Sequence, residues 1–347
     1  MQATLSVTLP FFALVLCGFL AARQRVLPEA AIPGLNAYVL YFALPCMLFR
    51  FGASMPFGKL IAPALVGIYA VCALLVVGLT VWMTRRRVGL KNAAFGALVA
   101  AFPNSGFMGV PLLVALYGNA AAGPVIGTLL VDLFLTSTLC LALAHVHEGA
   151  RPKGIHNGRA DASLRKDDHA DSSARAAAEA SDSTLASIVR SLRAALANPQ
   201  PWAIALGAVA AAAGITLPGP VDQFVRMLAD SASPVALFTI GAVLWRAGQH
   251  THTRTPVADF LPVALIKLVA HPLLVGGVGL LARALGAPVS DFGLTMLVLA
   301  AALPSASNVS LLAERFGADN GRVARIIMAS TVLAFASFTL LAWALRA

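Results

Sequence analysis

Charge is what this sequence has least of. Asp, Glu, Lys and Arg together make up 12% of its 347 residues, whereas a soluble domain carries about a quarter. Too few charges are present to coat a globule of this size. With 59% apolar residues and a mean hydropathy of +0.82, a bilayer is the natural solvent. The same scarcity excludes a disordered chain and an ordinary water-soluble enzyme. Cysteine is also sparse. Cys17, Cys46, Cys72 and Cys140 all lie inside apolar runs, which reads as buried thiols and excludes a disulfide-stapled secreted module. No H-E-x-x-H, Walker loop, kinase set or paired intramembrane Asp is present. The expectation is therefore no enzymatic activity, no cofactor and no metal. His145-Val-His147 and His250-Thr-His252 fall at span ends and read as solvated loop histidines.

A hydrocarbon core about 30 Å thick needs about 20 apolar helical residues to cross it. Ten runs fit: Leu5 to Ala22, Leu35 to Phe51, Leu60 to Met83, Ala93 to Tyr117, Val125 to Val146, Trp202 to Leu217, Pro220 to Leu244, Phe260 to Leu285, Phe292 to Phe316 and Val323 to Leu345. The first is followed by Arg23 and Arg25 and has no basic stretch before it, so it reads as a retained span. The predicted fold is an all-α polytopic membrane protein.

Of the 25 basic residues, 19 lie in the connections after the odd-numbered spans, 5 lie on the other side and Lys267 sits within the eighth span. The positive-inside rule then places both termini outside the cytoplasm, in a multi-pass cytoplasmic-membrane protein. The net charge of +10 is thereby mostly topology. Lipid headgroups suffice as partners for it, and no nucleic-acid module is visible.

Residues 148–183 change to Ala, Ser, Asp and Arg, a composition that buries too little to offset its ordering entropy. They read as a disordered cytoplasmic linker. From Leu185 to Leu196, apolar residues recur at helical spacing and predict an interfacial helix. The chain divides into residues 1–147, a connecting segment 148–197 and residues 198–347, with five spans on each side. Five is odd, so duplicated halves must insert with opposite topology. Pro45-x-x-Leu48-Phe49-x-x-Gly52 recurs as Pro234-x-x-Leu237-Phe238-x-x-Gly241. Ala101-Phe-Pro103-Asn104 recurs as Ala302-Leu-Pro304-Ser305, and Leu112-Leu113-x-x-x-Tyr117-Gly118 as Leu311-Leu312-x-x-x-Phe316-Gly317. Their common order predicts an inverted repeat.

The fourth and ninth spans carry helix breakers at membrane depth: Pro103, Asn104, Ser105, Gly106, Gly109 and Pro111 in one, Pro304, Ser305, Ser307 and Asn308 in the other. Backbone groups freed there need protein or a watery cavity, so matched interruptions point to a polar midplane site. Two half-helix N-termini would offer unpaired N–H groups, with Asn104, Ser105, Ser305, Ser307 and Asn308 adding neutral donors. That chemistry suits an anion that is bound and released. Ionisable residues inside spans are Asp132, Lys267, His271 and Glu314. Lys267 and His271 share a helix face, and Asp132 and Lys267 fit either a structural ion pair or a role in proton or sodium coupling. Glu314 reads as reaching cytoplasmic water.

Leu35-Asn-Ala-Tyr-Val-Leu-Tyr-Phe-Ala-Leu-Pro45, Phe102-Pro-Asn-Ser-Gly-Phe-Met-Gly-Val-Pro-Leu112, Ser233-Pro-Val-Ala-Leu-Phe-Thr-Ile-Gly241, Lys267-Leu-Val-Ala-His-Pro-Leu273 and Ala301-Ala-Leu-Pro-Ser-Ala-Ser-Asn308 form an ordered set. That set resembles the auxin efflux carrier family, whose bacterial members include malonate and other organic-acid permeases. The resemblance implies ten helices in two inverted five-helix repeats, as in bile-acid and sodium/proton carriers, with broken crossover helices four and nine. It further implies a homodimeric scaffold of spans one, two, six and seven and a mobile, elevator-like transport domain. Pro103 and Asn104 carry over as substrate-site residues, as do Pro304, Ser307 and Asn308 of the more variable ninth helix. The functional expectation is a secondary transporter of a small organic anion working by alternating access. The alternatives are a cation/proton exchanger and a ligand-binding membrane sensor.

Overall fold

Where no water can satisfy backbone N–H and C=O groups, a long apolar run is most stable as a helix. The architecture follows from that. The structure, a computed structural model, describes residues 1–54, 62–146, 189, 193, 196–249 and 255–345. The described residues are helical, with no strand beyond a single isolated bridge. We number the helices α1 (Gln2–Arg23), α2 (Ala31–Ala53), α3 (63–88), α4 (90–101), α5 (Ser105–Tyr117), α6 (122–146), α7 (Pro199–Ala212), α8 (Gly219–Gln249), α9 (Val257–Ala284), α10 (Asp291–Ala301), α11 (Val309–Arg315) and α12 (Asn320–Ala344). Seven helical stretches are long and apolar enough to cross a membrane, counting α3 and α4 as one; α5 and α10 are shorter and apolar. The chain is a multi-pass membrane protein.

Three boundaries differ from the apolar runs for physical reasons. α3 continues past Met83 through Arg85, Arg86 and Arg87, because hydropathy marks the bilayer and not the end of a helix. It stops at Gly89, whose φ of +78° is open to glycine without strain. The fourth and ninth runs are each split in two, α4 from α5 and α10 from α11. The linker at 148–183 lies outside the described residues, as does most of the expected interfacial helix, of which Val189, Arg193 and Leu196 are helical.

Glycine sets the closest packing. Lipid is as apolar as leucine, so helices associate through close backbone approach rather than hydrophobic gain. A Cβ on Gly18 of α1 would overlap the Phe238 backbone of α8, and one on Gly241 of α8 would overlap Val15 and Phe19 of α1. The same reciprocity joins α2 to α7. A Cβ on Gly52 would come within 2.6 Å of the Ile204 carbonyl oxygen, and one on Gly207 would overlap Phe49 and Ala53. Gly52 and Gly241 are the equivalent last residues of the two matched sequence stretches. Gly241→Val should therefore force α1 from α8. The expected result is a loss of at least about 1–3 kcal/mol of stability, by overpacking against backbone that cannot swing aside, read as a lowered melting midpoint in detergent.

Four π-helical turns punctuate these helices: Val39–Ala43, Ser105–Gly109, Asp132–Thr136 and Ile266–Ala270. Three of them end two residues before a proline, namely Pro45, Pro111 and Pro272. A proline lacks the N–H its helix position needs and its ring crowds the carbonyl four residues back. Widening the preceding turn relieves both. In the remaining turn, Asp132–Thr136, the Asp132 carbonyl accepts from both the N–H and the hydroxyl of Ser137, the latter at 2.6 Å.

Candidate functional site

α4 ends at Ala101 and α10 at Ala301, and the chain after each is extended or turned. The two interruptions pass antiparallel and bond to each other. Asn104 N–H donates to the Pro304 carbonyl at 2.8 Å, and Ala306 N–H donates to the Phe102 carbonyl at 3.0 Å. Pro103 and Ser305 face each other between these bonds, at a position where an antiparallel pair exchanges no N–H. The missing donor of Pro103 therefore costs nothing. Ser305 N–H instead reaches the Ser330 hydroxyl of α12 at 3.2 Å.

Beyond the crossing, α5 begins with its first-turn donors unevenly satisfied. Ser105 N–H reaches the Pro103 carbonyl at 2.8 Å, and both Met108 and Gly109 N–H converge on the Asn104 carbonyl at 3.1 and 2.9 Å. Those of Gly106 and Phe107 have no acceptor among the described residues. A small void of about 20 Å³ lies there, lined by Asn104, Gly106, Phe107, Asn308 and Gln200 among others. Asn104 and Gln200 are each 5% exposed. Among the described residues neither side-chain amide has a hydrogen bond, and the buried Oδ1 of Asn308 has no partner. No charged side chain lines the void.

The remaining residues expected from the sequence divide. Pro304 contributes its carbonyl to the crossing, and the Ser305 hydroxyl is buried without a partner. The Ser105 hydroxyl lies 3.3 Å from that of Thr128. Ser307 is buried, its carbonyl accepting from Ser310 N–H at 3.3 Å. Glu314 is exposed on a larger cavity of about 310 Å³ between α2, α8 and α11, beside Arg246 and Asn320.

A second polar cluster adjoins the crossing. α6 presents Leu129 and Leu133 to the void but turns Asp132 to Tyr69 of α3. The Asp132 carboxylate accepts from the Tyr69 hydroxyl at 3.0 Å and from the Thr136 hydroxyl at 3.1 Å. Lys267 of α9 donates to the Ala301 carbonyl at 2.7 Å and lies 3.2 Å from His271 Nδ1. The rings of Tyr69 and His271 are 5.6 Å apart, centre to centre. Tyr69, Asp132, Lys267 and His271 are all at 0% exposure. The structure thus brings Asp132, Lys267 and His271 into one cluster, with no direct Asp132–Lys267 bond. The reason is local. Ala301 ends α10, where unpaired carbonyls and the negative end of the helix dipole attract the ammonium.

Sequence reasoning missed Tyr69, Gln200 and Arg322. Tyr69 carried a signal, since a phenol at membrane depth needs a partner. Gln200 sits in Asn198-Pro-Gln-Pro-Trp202, at the edge of the polar segment, and carried none. Arg322 was counted as a topology charge, yet it is 1% exposed. It donates from Nε to the Asp259 carbonyl at 2.8 Å and from Nη1 to the Asn92 carbonyl at 2.9 Å, fastening the starts of α4, α9 and α12 together.

Neutral donors around a helix start suit reversible binding of an anion. A family model described as "Membrane transport protein" matches residues 4–343. The chain is 28% identical over 344 residues, 97% of its length and 94% of the relative's, to a protein of Rhizobium meliloti (strain 1021) named "Putative malonate transporter". It is 25% identical over 291 residues, 78% of each chain, to "Auxin efflux carrier component 8" of Arabidopsis thaliana. It is 24% identical over 333 residues, 94% of its length and 92% of the relative's, to "Uncharacterized transporter YfdV" of Escherichia coli (strain K12).

Proposed function

The chain belongs to the membrane transport protein family of the auxin efflux carriers, and on that premise we propose that it moves a small organic anion, a carboxylate, across the cytoplasmic membrane by alternating access. One observation carries the reading. The void at the crossing is lined by Gly106 and Phe107, whose N–H groups have no acceptor among the described residues, and by the amides of Asn104 and Asn308, and it has no charged wall. A helix start carries about half a positive charge, which favours an anion without the desolvation cost of a buried arginine. The name of the Rhizobium relative supports a carboxylate. Pro103 stands at a non-donating position of the crossing and Pro304 supplies its carbonyl to it, so the site is built from main chain as much as from side chains.

The larger architecture in this proposal is ten spans in two inverted repeats. Counting α4 with α5, α10 with α11, and α7 as a span brings the seven long stretches to ten. The reciprocal glycine contacts, α1 with α8 through Gly241 and α2 with α7 through Gly52, support two equivalent halves. In this arrangement α1, α2, α7 and α8 form the scaffold and dimer half, and the crossing helices form the mobile half.

A second reading, cation or proton exchange, draws on the buried Asp132 beside Tyr69, His271 and Lys267. The void supports the anion reading, because Gly106 and Phe107 at the start of α5 keep N–H groups with no acceptor among the described residues. Uptake of radiolabelled carboxylates into proteoliposomes separates the readings: anion uptake is expected, and exchange of sodium or protons without any organic substrate would favour the second. Binding without movement would favour a sensor.

Deleting residues 150–182 should leave the uptake rate nearly unchanged, since their polar composition contributes little to a packed membrane core. The measurement is uptake by the deletion variant at matched protein content. Complete loss in a normally inserted variant would assign the segment a working role.

A further inference from the structure

Gln200 is the one amide at the void that the interrupted helices do not supply. It stands in the first turn of α7, where Asn198 caps the helix by accepting from Gln200 N–H at 3.0 Å and Pro199 fixes the entry. Its backbone is therefore pinned. α7 is seated against α2 by the backbone contact of Gly207 with Phe49 and Ala53. The opposite wall is held differently: its two interrupted segments are tied to each other by the Asn104–Pro304 and Ala306–Phe102 hydrogen bonds. No hydrogen bond joins Gln200 to that wall among the described residues.

The size of the void decides what must happen when a ligand enters. About 20 Å³ holds roughly one water molecule, less than a carboxylate needs. A carboxylate seated between Gln200 and the crossing therefore needs more room than the gap between them now gives. The crossing segments are bonded to each other and Gln200 is bonded to neither, so among the described residues no hydrogen bond opposes their parting. A carboxylate entering there meets Asn104 and the α5 N–H groups on one side and the Gln200 amide on the other.

We infer that Gln200 is a substrate-contacting specificity residue: its side-chain N–H donates to one carboxylate oxygen while Asn104 and the start of α5 hold the other, so that the anion bridges α7 and the crossing. This rests on the anion reading of the void. It adds a consequence that reading lacks, because the Gln200 contact exists only while α7 faces the crossing. A ligand that gains a bond in one conformation alone shifts the population towards that conformation. Gln200 thus favours the substrate-bound form of the state in which α7 and the crossing are apposed.

The charge of the ligand can be read at this position, since glutamate matches glutamine in shape but replaces the donor with a negative oxygen. The experiment is equilibrium binding of malonate, acetate, succinate and citrate to purified full-length protein in nanodiscs, for wild type, Gln200→Ala, Gln200→Glu and Asn104→Ala. Hydrogen bonds to charged groups set the expected scale: about tenfold or more weakening in Gln200→Ala, and a larger loss in Gln200→Glu, for whichever acid the wild type binds. Gln200→Asn, one methylene shorter, replaces the alanine variant if that one does not fold. Weakening in Asn104→Ala with wild-type affinity in the Gln200 variants overturns this inference and leaves the void as the site. Wild-type affinity in all the variants, or no binding of any acid by the wild type, overturns the site reading and this inference together.

Discussion

Replacing Asn104 with alanine is expected to raise the KM for carboxylate uptake by about ten- to a hundredfold while the protein still inserts and folds. Asn104 is 5% exposed, its amide has no partner among the described residues, and its carbonyl already accepts from Met108 and Gly109. Removing the side chain therefore breaks no internal bond. What is lost is a donor to a charged ligand, worth about 1.5–3 kcal/mol, and each 1.4 kcal/mol is a factor of about ten. Asn104→Asp should be worse, because it sets a negative oxygen among groups arranged for an anion. A melting midpoint equal to wild type, measured beside the uptake, separates this effect from misfolding. An unchanged KM in both variants would remove Asn104 from the site.

The largest stability effect is expected at Lys267. Lys267→Met strips the Lys267 donor from the Ala301 carbonyl at the buried end of α10, and an unsatisfied buried acceptor costs about 1–3 kcal/mol. It also leaves Asp132 with hydroxyl partners but no nearby cation. Losing one member of a buried charge pair costs about 3–5 kcal/mol when the two are in direct contact. Here Tyr69 and His271 intervene, so the expected total lies between these figures. Asp132→Asn in the same chain should recover part of the loss, the mark of coupling in a double-mutant cycle. Melting midpoints of the two single variants and the double variant measure it. Strict additivity would show that the two charges act independently. Repeating uptake across a pH series, with sodium replaced by choline, tests the exchange reading: a changed profile in Lys267→Met favours coupling, and an unchanged one leaves Lys267 as the fastener of α10.

The helical, membrane-spanning character of the chain was legible because it depends on composition summed over long runs. The two interruptions were legible for a local reason: Pro103 with Asn104, and Pro304 with Ser305, disfavour a continuous helix wherever they occur. What those interruptions do to each other was not legible. The pairing of Pro103 with Ser305 depends on residues two hundred positions apart, and no periodicity encodes that distance. Gly18 and Gly207 were invisible among 28 glycines, since only a neighbouring backbone gives a glycine its purpose. Lys267 was singled out as an ionisable residue inside a span, and the structure buries it. Its nearest partner was missed because the carbonyl end of α10 is a main-chain feature, created where Ala301 stops the helix. Gln200 escaped for the opposite reason: a glutamine beside a polar segment looks solvated until the fold buries it.

The central claim is that the main-chain and amide donors at the crossing bind the anion that is moved. The most direct measurement is counterflow of radiolabelled malonate, with acetate, succinate and citrate as competitors, in proteoliposomes holding wild type or Asn104→Asp. The account predicts saturable counterflow of at least one carboxylate by the wild type, insensitive to replacing sodium with choline if the anion alone is carried, and its near abolition in Asn104→Asp. Counterflow at the wild-type rate in Asn104→Asp, or none of any carboxylate by a folded wild-type protein, would contradict it.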